Sequence, residues 1–198
     1  MTATEETIGY YDGNAKKFIA DTANVEFGAL QKAFEDMLPE GGRILDLGCG
    51  SGRDSLAFLK AGFAVDAVDG SAEMVKAASK LTGHKVEHAT FVDFEPKGGY
   101  DGIWACSSLL HVPAADLPAI VTKYAAALKP GGCFYLSFKI GDHDGMRNGR
   151  WFTDMTEQSF RRLIDDVEDL TVKRIDVTSD VRPGRADEKW LNAWCMRI

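Results

Sequence analysis

The residues best placed to do chemistry lie in a glycine-rich turn, ILDLGCGSGRD, at residues 44–54. Gly48, Gly50 and Gly52 follow a short apolar run and precede a helical pattern. Glycines in such a turn let a ligand approach the bare backbone. Asp46, just ahead of the first glycine, would place a carboxylate against that ligand. The turn therefore predicts a site for a nucleotide-like molecule.

Two classes of ligand compete for this turn. The dinucleotide fingerprint is G-x-G-x-x-G, which places a pyrophosphate at the helix N-terminus. Here the third glycine comes one residue early, and Arg53 occupies the last fingerprint position. Asp46 would repel a pyrophosphate but would suit a ligand with ammonium and sulfonium groups. S-adenosylmethionine (SAM) carries both groups, so the sequence favours SAM and disfavours an NAD-type oxidoreductase.

A second acidic residue, Asp69, ends the next apolar run, 21 residues after Gly48. This is near the spacing at which an acidic residue meets ribose hydroxyls in doubly wound folds. A carboxylate can accept hydrogen bonds from both hydroxyls of an adenosine ribose. The alternative is a solvent-exposed aspartate that merely precedes an Asp-Gly-Ser helix cap.

The elements that position these residues alternate between helices and strands. Two helical stretches come first and end at residues 39–42. The pattern then predicts strands at 43–47, 63–68, 86–91, 101–106 and 133–139, with helices at 53–61, 71–81 and 117–128. A helix capped by Thr156 and two closing strands, at 170–177 and 190–198, complete the chain; these two strands are expected to form a hairpin-like antiparallel pair. The alternation implies an α/β fold with a mostly parallel sheet and helices on both faces.

The bulk composition restricts the possible partners and the location. The 198 residues fit one domain, and a net charge of −7 works against nucleic acid, whose binding depends on Lys and Arg. A tRNA-modifying role would need a basic surface, which the sequence does not indicate. There is no signal-peptide pattern and no long apolar stretch, so we expect a cytoplasmic protein without membrane contact. The four cysteines form no C-x-x-C pair, so no metal is expected.

Three segments carry a family resemblance. LDLGCGSGRDSLAFLKAGFAVDAVDGS, at residues 45–71, resembles motif I and the following acidic motif of class I SAM-dependent methyltransferases. YDGIWACSSLLHVP, at 100–113, resembles their fourth strand and active-site turn, and LKPGGCFYLSFK, at 128–139, their approach to the fifth strand. The stretch LDLGCGSGRDSL is similar to the tellurite-resistance branch. The resemblance implies a doubly wound, Rossmann-like sheet of seven strands with an antiparallel last strand.

The resemblance also implies roles for individual residues. The amino-acid part of SAM would lie against Asp46 and the turn at 48–52, the ribose against Asp69, and the adenine edge against Asp93 and Phe94. The complete set expected at the cofactor is Asp46, Gly48, Cys49, Gly50, Gly52, Asp69, Gly70, Asp93, Phe94, Cys106 (through its backbone) and Tyr11. Gly70 departs from many relatives, which have a larger residue there. Met74 is expected either to fill its place against adenine or to lie in the core.

Methyl transfer from a sulfonium is an in-line displacement, so the protein must mainly align a nucleophile and exclude water. A base is needed only where the nucleophile loses a proton. His111, which follows the fourth strand, is the candidate base; otherwise it would hydrogen-bond its own turn. His143, between Asp142 and Asp144, fits a solvent-exposed turn better than a metal site.

Two segments outside the motifs are expected to cover the site. Residues 1–42 would form a helical lid in which Tyr10 and Tyr11 close over SAM, or else the two tyrosines anchor a helix. Residues 140–155 are predicted to form a long acceptor-site loop. The residues expected to line the acceptor pocket are Tyr10, Lys139, Arg150, Trp151, Phe152 and Arg182. Cations with aromatic walls favour a small anionic or planar acceptor.

These observations predict a methyltransferase, a monomer or homodimer, that acts on a small molecule or a metalloid oxyanion. An RNA-modifying enzyme and a non-catalytic SAM-binding module are the alternatives. The turn Cys106-Ser107-Ser108-Leu109 lacks the Asn/Asp-Pro-Pro-aromatic motif of amino-group nucleic-acid methyltransferases. The chain also has no Pro-Cys pair, the usual setting of a cytosine-C5 nucleophile.

Overall fold

Helices and strands alternate along most of the chain, as the sequence predicts. A computed structural model describes residues 2–22, 25, 27–182, 184–185 and 187–198. Its helices are α1 (Ala3–Thr22), α2 (Gly28–Glu35), α3 (Arg53–Lys60), α4 (Ala72–Thr82), α5 (Leu117–Ala125) and α6 (Glu157–Asp165). Its strands are β1 (Arg43–Leu47), β2 (Ala64–Asp69), β3 (Glu87–His88), β4 (Tyr100–Ala105), β5 (Leu128–Lys139), β6 (Asp144–Arg147), β7 (Arg150–Thr153), β8 (Leu170–Ser179) and β9 (Lys189–Arg197).

The main sheet has seven strands in the order β3-β2-β1-β4-β5-β9-β8. Strands β1 to β5 pair in parallel with their neighbours. The last strand, β9, lies between β5 and β8 and is antiparallel to both. This arrangement confirms the predicted doubly wound sheet and its antiparallel last strand.

The sheet buries side chains on both faces because helices cover both. On one face Phe34 of α2 and Phe58 of α3 pack against Trp104, which stacks on Tyr135 at 3.9 Å between ring centroids. On the other face the side chains of α5 and α6 pack against the next residues of the same strands, among them Ile103. Successive strand residues point to opposite faces, which explains the two cores.

Local signals correctly predict where two helices begin. Ser71 caps α4, with its Oγ accepting from the Met74 amide at 3.2 Å. Thr156 caps α6, with its Oγ accepting from the Ser159 amide at 3.1 Å. Each cap satisfies an amide that has no partner within its helix.

The largest departure from prediction is the segment 140–155, which is a hairpin rather than a loop. Strands β6 and β7 pair antiparallel and form a separate two-stranded sheet. Asn148 and Gly149 connect them with φ angles of +53° and +77°. A two-residue turn with positive φ at both positions is typical of a tight hairpin, and Asn-Gly is its usual sequence.

The N-terminal region also departs from the predicted lid. Helix α1 lies along the mouth of the cavity described below, whereas α2 is largely part of the core, with Phe34 completely buried and Leu30 reaching the cavity. Two boundaries differ as well. The helix predicted to reach Leu128 ends at Ala125, because Leu128 already pairs with Tyr100 of β4. The strand predicted at 86–91 is reduced to Glu87–His88.

Candidate functional site

A cavity of about 1130 Å³ opens where the parallel strands β1, β2 and β4 end. Its walls are the turn after β1, one face of α1, the segment after β4, and the β6–β7 hairpin. The face of α1 consists of residues at helical spacing: Thr4, Thr7, Ile8, Tyr11, Phe18 and Thr22. The carboxyl ends of parallel strands are where open α/β sheets bind ligands.

The three glycines of the turn are required for different reasons, although all have positive φ. A Cβ on Gly48 would lie 2.5 Å from the Cβ of Ser108, and one on Gly52 would lie 2.9 Å from the Cβ of Ala78. These two glycines therefore permit close packing within the protein. A Cβ on Gly50 would meet only Phe18, at 3.9 Å. Gly50 leaves open space on the cavity side, as close approach of a ligand requires.

Asp46 is a nearly buried carboxyl in the wall of this cavity. Its Oδ2 accepts from the Ser55 hydroxyl at 2.5 Å, and this is its one side-chain hydrogen bond within the described ranges. Burial and the nearby charge of Asp54 raise the pKa of Asp46 far above its ordinary value. A cationic ligand beside this carboxyl would offset both effects.

Asp54 also lines the cavity, but its oxygens are used by the protein. They accept from Arg53 at 2.7 and 2.9 Å, from the Gln31 amide at 2.8 Å and from the Trp104 indole at 2.9 Å. Of these two neighbouring carboxyls, Asp46 therefore has the greater capacity to bind a ligand.

Asp69 holds the glycine turn in place and also faces the cavity. One carboxylate oxygen accepts from the Gly50 amide at 2.8 Å and the other from the Ser71 amide at 2.9 Å. The helix cap beside it is formed by Ser71, whose hydroxyl also donates to Asp12 at 2.6 Å. Burial raises the pKa of Asp69, while the two amides oppose that rise. Each carboxylate oxygen keeps a second lone pair for a ligand hydroxyl.

Asp69→Asn should weaken SAM binding by roughly tenfold to a hundredfold, the range for loss of charged hydrogen bonds. The amide group has one accepting oxygen, so its NH₂ would face either the Gly50 or the Ser71 amide. Isothermal titration calorimetry with SAM measures the change.

The matched control is Asp66→Asn in the same strand. Asp66 bonds the Arg43 guanidinium and the Tyr100 hydroxyl, so its loss should leave SAM affinity nearly unchanged. Equal losses of affinity in the two variants would indicate a general folding defect. A loss confined to the Asp66 variant would contradict the role given to Asp69.

The structure corrects the residues expected at the adenine edge. Asp93 is exposed and accepts from the Thr90 hydroxyl at 2.6 Å, and neither Asp93 nor Phe94 lines the cavity. The wall at this position is formed by Thr90, Phe91 and Val92. The very short β3 makes the register here hard to infer from sequence. The other residues expected at the cofactor do line the cavity: Asp46, Gly48, Cys49, Gly50, Asp69, Gly70, Cys106 and Tyr11. Met74 is a core residue that also lines the cavity, and its contact with adenine stays a prediction.

Gly52 is the remaining exception among the expected cofactor residues. It does not line the cavity, because it packs against Ala78 of α4. Its part in the site is to let α3 and α4 approach each other closely.

His111 lies in the cavity wall and has a well-defined tautomer. Its Nδ1 is 2.6 Å from the Trp151 carbonyl oxygen, which can only accept, so Nδ1 carries the proton. Its Nε2 is then an acceptor, and the Tyr11 hydroxyl donates to it at 2.8 Å. Burial, reinforced by the charge of Arg150, lowers the pKa of His111 to about 4, although the Trp151 carbonyl raises it. The ring is therefore neutral near pH 7, with its basic nitrogen held by Tyr11.

Four of the six residues expected at the acceptor line the cavity: Lys139, Arg150, Phe152 and Arg182. Trp151 does not, because alternate residues of β7 face opposite sides, and its indole donates to Asp144 at 3.0 Å. Tyr10 does not line it either. Its side chain leaves α1 in a different direction from that of Tyr11, and its ring centroid lies 4.3 Å from the guanidinium carbon of Arg150.

Sequence reasoning does not find Ser108 as a side-chain participant. Ser108 is 5% exposed and lines the cavity beside Gly48, yet its hydroxyl has no hydrogen-bond partner among the residues that the structure describes. The preceding residue, Ser107, has a φ of +53°, which is uncommon outside glycine. Two polar residues directly after a buried strand are the signal that could have indicated them.

The sequence and the fold around this site resemble those of known proteins. Residues 44–132 match the family model for a methyltransferase domain. The magnesium protoporphyrin IX methyltransferase of Synechocystis PCC 6803, with bound SAM, has the same fold at a TM-score of 0.76 and 17% identity, covering 100% of this chain and 98% of that one. Residues 44–132 are thus similar to a methyltransferase domain, and the chain has the fold of SAM-dependent methyltransferases. The turn at 48–52, Asp69 and His111 lie inside the matched segment.

Two further relatives place limits on the comparison. A ubiquinone biosynthesis O-methyltransferase of Xanthomonas axonopodis pv. citri (strain 306) is 37% identical over 109 residues, which are 50% of this chain and 44% of that relative. The match thus spans less than half of the relative. A TehB-like methyltransferase of Corynebacterium glutamicum has a TM-score of 0.71 at 17% identity, covering 96% of this chain and 99% of that one. This likeness shows the fold alone, so the tellurite-resistance branch stays a prediction.

Several residues of the cavity wall lie outside the matched family segment. Tyr11, Lys139, Arg150 and Arg182 all fall beyond residues 44–132. The acceptor must therefore be inferred from the geometry of these residues. Among the helices that the structure describes, none has the length and apolar character to cross a membrane.

Proposed function

We propose that this chain is an enzyme that transfers the methyl group of SAM to a small-molecule acceptor. The observation that carries the proposal is Asp46, a buried carboxyl with spare hydrogen-bonding capacity in the cavity wall, next to the open side of Gly50. A buried carboxyl of this kind favours a cationic ligand, and a backbone turn without a Cβ permits its close approach.

The cavity residues fit SAM along its length. Asp46 would take the ammonium of the amino-acid part, Asp69 the ribose hydroxyls, and Phe91 and Met74 the apolar faces of the adenine. Ser108, whose buried hydroxyl bonds none of the described residues, would gain a partner from the bound ligand. This last point supports a ligand here, because buried hydroxyls are usually paired.

When bound, SAM supplies a methyl group that its sulfonium has already activated. The chain must then align the acceptor, exclude water and receive the acceptor's proton. Tyr11 and His111 are arranged for the last task. An acceptor hydroxyl or amine would pass its proton to the Tyr11 oxygen as the Tyr11 proton moves to His111 Nε2. The Trp151 carbonyl holds the other ring nitrogen, so the ring keeps its orientation.

The cavity supports an organic acceptor over the other classes. At about 1130 Å³ it is slightly larger than the usual range for ligand pockets, which leaves room beside SAM for a molecule larger than a metalloid oxyanion. A metalloid oxyanion remains the smaller candidate for the same cationic end. An RNA acceptor is disfavoured by the net charge of −7. A non-catalytic SAM-binding module would have no use for the Tyr11–His111 pair.

SAM and S-adenosylhomocysteine should each stabilise the protein, by ~2.7 kcal/mol at a hundredfold excess over the dissociation constant. NAD should give no comparable stabilisation, because Asp46 opposes a pyrophosphate. Thermal unfolding with each ligand measures the effect.

Release of S-adenosylhomocysteine during an acceptor screen then separates an enzyme from a binding module. A shift in melting temperature with NAD but not with SAM would overturn the cofactor assignment. Binding of SAM without turnover on any small acceptor would favour the non-catalytic module.

A further inference from the structure

The cations around the acceptor end of the cavity differ in how the protein neutralises them. Four have a carboxylate partner. The pairs are Arg147 with Asp154 through two bonds of 2.8 Å, Arg182 with Asp180 at 2.5 Å, Lys139 with Glu188, and Arg185 with Glu188 at 3.5 Å. Arg150 is the exception: across the described part of the chain, no carboxylate lies within 4 Å of its guanidinium.

Arg150 is surrounded by aromatic rings in place of acids. Its guanidinium carbon lies 4.3 Å from the Tyr10 ring centroid, 5.0 Å from that of Phe152 and 5.5 Å from that of Tyr11. Its one hydrogen bond to a described residue goes from Nη1 to the Tyr11 hydroxyl, at 3.3 Å. Its Nε is buried without a partner.

The guanidinium therefore keeps donors that no described residue accepts: Nε is buried, and the rest of the half-buried group is open to a ligand. A guanidinium carries five N–H donors in a planar fork, and the fork matches a carboxylate. Burying a charged donor without an acceptor is costly, whereas an anion placed against it supplies both charge and acceptors. The side chain also forms part of the cavity wall, so a ligand in the cavity can reach it.

We propose that Arg150 recognises the carboxylate of the methyl acceptor, and that this acceptor is a planar organic acid whose methylated atom is a separate hydroxyl or amine. The inference rests on the proposed methyl transfer. Phe152 and Tyr11 flank the guanidinium and provide flat apolar surface for the body of such an acceptor. The methylated atom then lies toward the Tyr11 hydroxyl, which Arg150 contacts.

Occupation of Arg150 would also affect the base. The positive charge of Arg150 is one of the causes that lower the pKa of His111. A carboxylate bound to Arg150 would neutralise that charge and make His111 a stronger base. The correct acceptor thus prepares the group that receives its proton, whereas a neutral analogue would not.

Benzoate and benzamide, which have the same shape and differ in charge, are suitable probes. With S-adenosylhomocysteine present, benzoate should raise the melting temperature at millimolar concentration and benzamide should not. Selenite and inorganic phosphate test whether the site binds an inorganic oxyanion instead of an organic carboxylate. Equal effects of benzoate and benzamide would overturn the proposal. Binding of selenite or phosphate but not of benzoate would overturn the organic acid and favour an inorganic oxyanion.

Variants of two arginines on the same hairpin locate the binding group. Arg150→Met should weaken benzoate binding roughly tenfold to a hundredfold, the range for charged hydrogen bonds, and Arg150→Lys should weaken it less. Arg147→Lys is the matched control, because a lysine there can still pair with Asp154, and it should bind benzoate as the wild type does. Equal weakening in the Arg147 and Arg150 lysine variants would contradict a specific role for Arg150.

Titration with S-adenosylhomocysteine alone separates this proposal from the one on which it rests. All three variants should bind it normally, because Arg150 and Arg147 lie at the acceptor end. Normal binding also shows that the variants are folded. Absence of binding in the wild-type protein would refute the proposed function. Normal binding together with benzoate binding unaffected by Arg150→Met would refute only the role of Arg150.

Discussion

His111→Asn should lower kcat by roughly 10²- to 10⁴-fold, the usual contribution of a general base. The asparagine side chain can still donate to the Trp151 carbonyl but offers no basic nitrogen to Tyr11. Tyr11→Phe should also lower kcat, because it interrupts the proton path from the acceptor to the His111 ring. Rates of S-adenosylhomocysteine formation with a proton-bearing acceptor measure both effects.

The control for these variants is Tyr10→Phe, which removes the adjacent hydroxyl outside the cavity and should leave kcat unchanged. The pH profile gives a readout that a structural role would not alter. Because the pKa of His111 is lowered to about 4, kcat/KM of the wild type for the acceptor, measured at saturating SAM, should stay level as the pH falls through the ordinary histidine value of 6.5. It should decline only near the lower value. Loss of activity in Tyr10→Phe equal to that in Tyr11→Phe would contradict the proton path.

Gly50→Val should abolish measurable SAM binding, a loss of at least about a hundredfold, or ~2.7 kcal/mol. Two effects combine. The valine Cβ and its methyl groups would occupy the open space between the turn and Phe18, where the ligand is expected. The φ of +54° is also unfavourable for a β-branched residue, so the amide that bonds Asp69 would shift. Calorimetry with SAM measures the affinity.

Gly41→Val separates these effects from backbone strain alone. Gly41 has a φ of +68°, nothing lies within 4 Å of the Cβ position, and it precedes β1 away from the cavity. It should lower stability, as strained valines do, by roughly 1–3 kcal/mol, yet retain SAM affinity. If a folded Gly50 variant binds SAM normally, the turn is not the cofactor site.

Most of the residues expected at the cofactor line the cavity, because their spacing in local sequence brings them to one edge of the sheet. Asp46 and Gly50 stand in one strand-turn-helix unit, and Asp69 ends the neighbouring strand. In a parallel sheet, consecutive strand ends meet at one edge, so spacing along the chain translates into proximity. The alternation of strands and helices likewise predicts the mostly parallel sheet, whereas the antiparallel last strand is expected from the family resemblance.

The acceptor end could be predicted only in part because its contacts are between distant segments. Tyr11 meets His111 across 100 positions of sequence, and Arg150 meets Tyr11 across 139. Nothing local indicates that Arg147 has an acidic partner and Arg150 does not. The face of a residue within β7 also depends on recognising the strand, so a segment taken for a loop could not distinguish Trp151 from Phe152.

The raised pKa of Asp46 links the cofactor to the proton balance of the solution. A carboxyl that is protonated in the empty cavity must lose that proton when it binds a cation. Cofactor uptake and deprotonation are then one equilibrium, and the affinity increases with pH until the carboxyl is already ionised without ligand. A fall in pH would therefore release the cofactor from this protein before it protonated His111 in the Tyr11–His111 pair. The motif that selects a cation also makes its occupancy a function of pH.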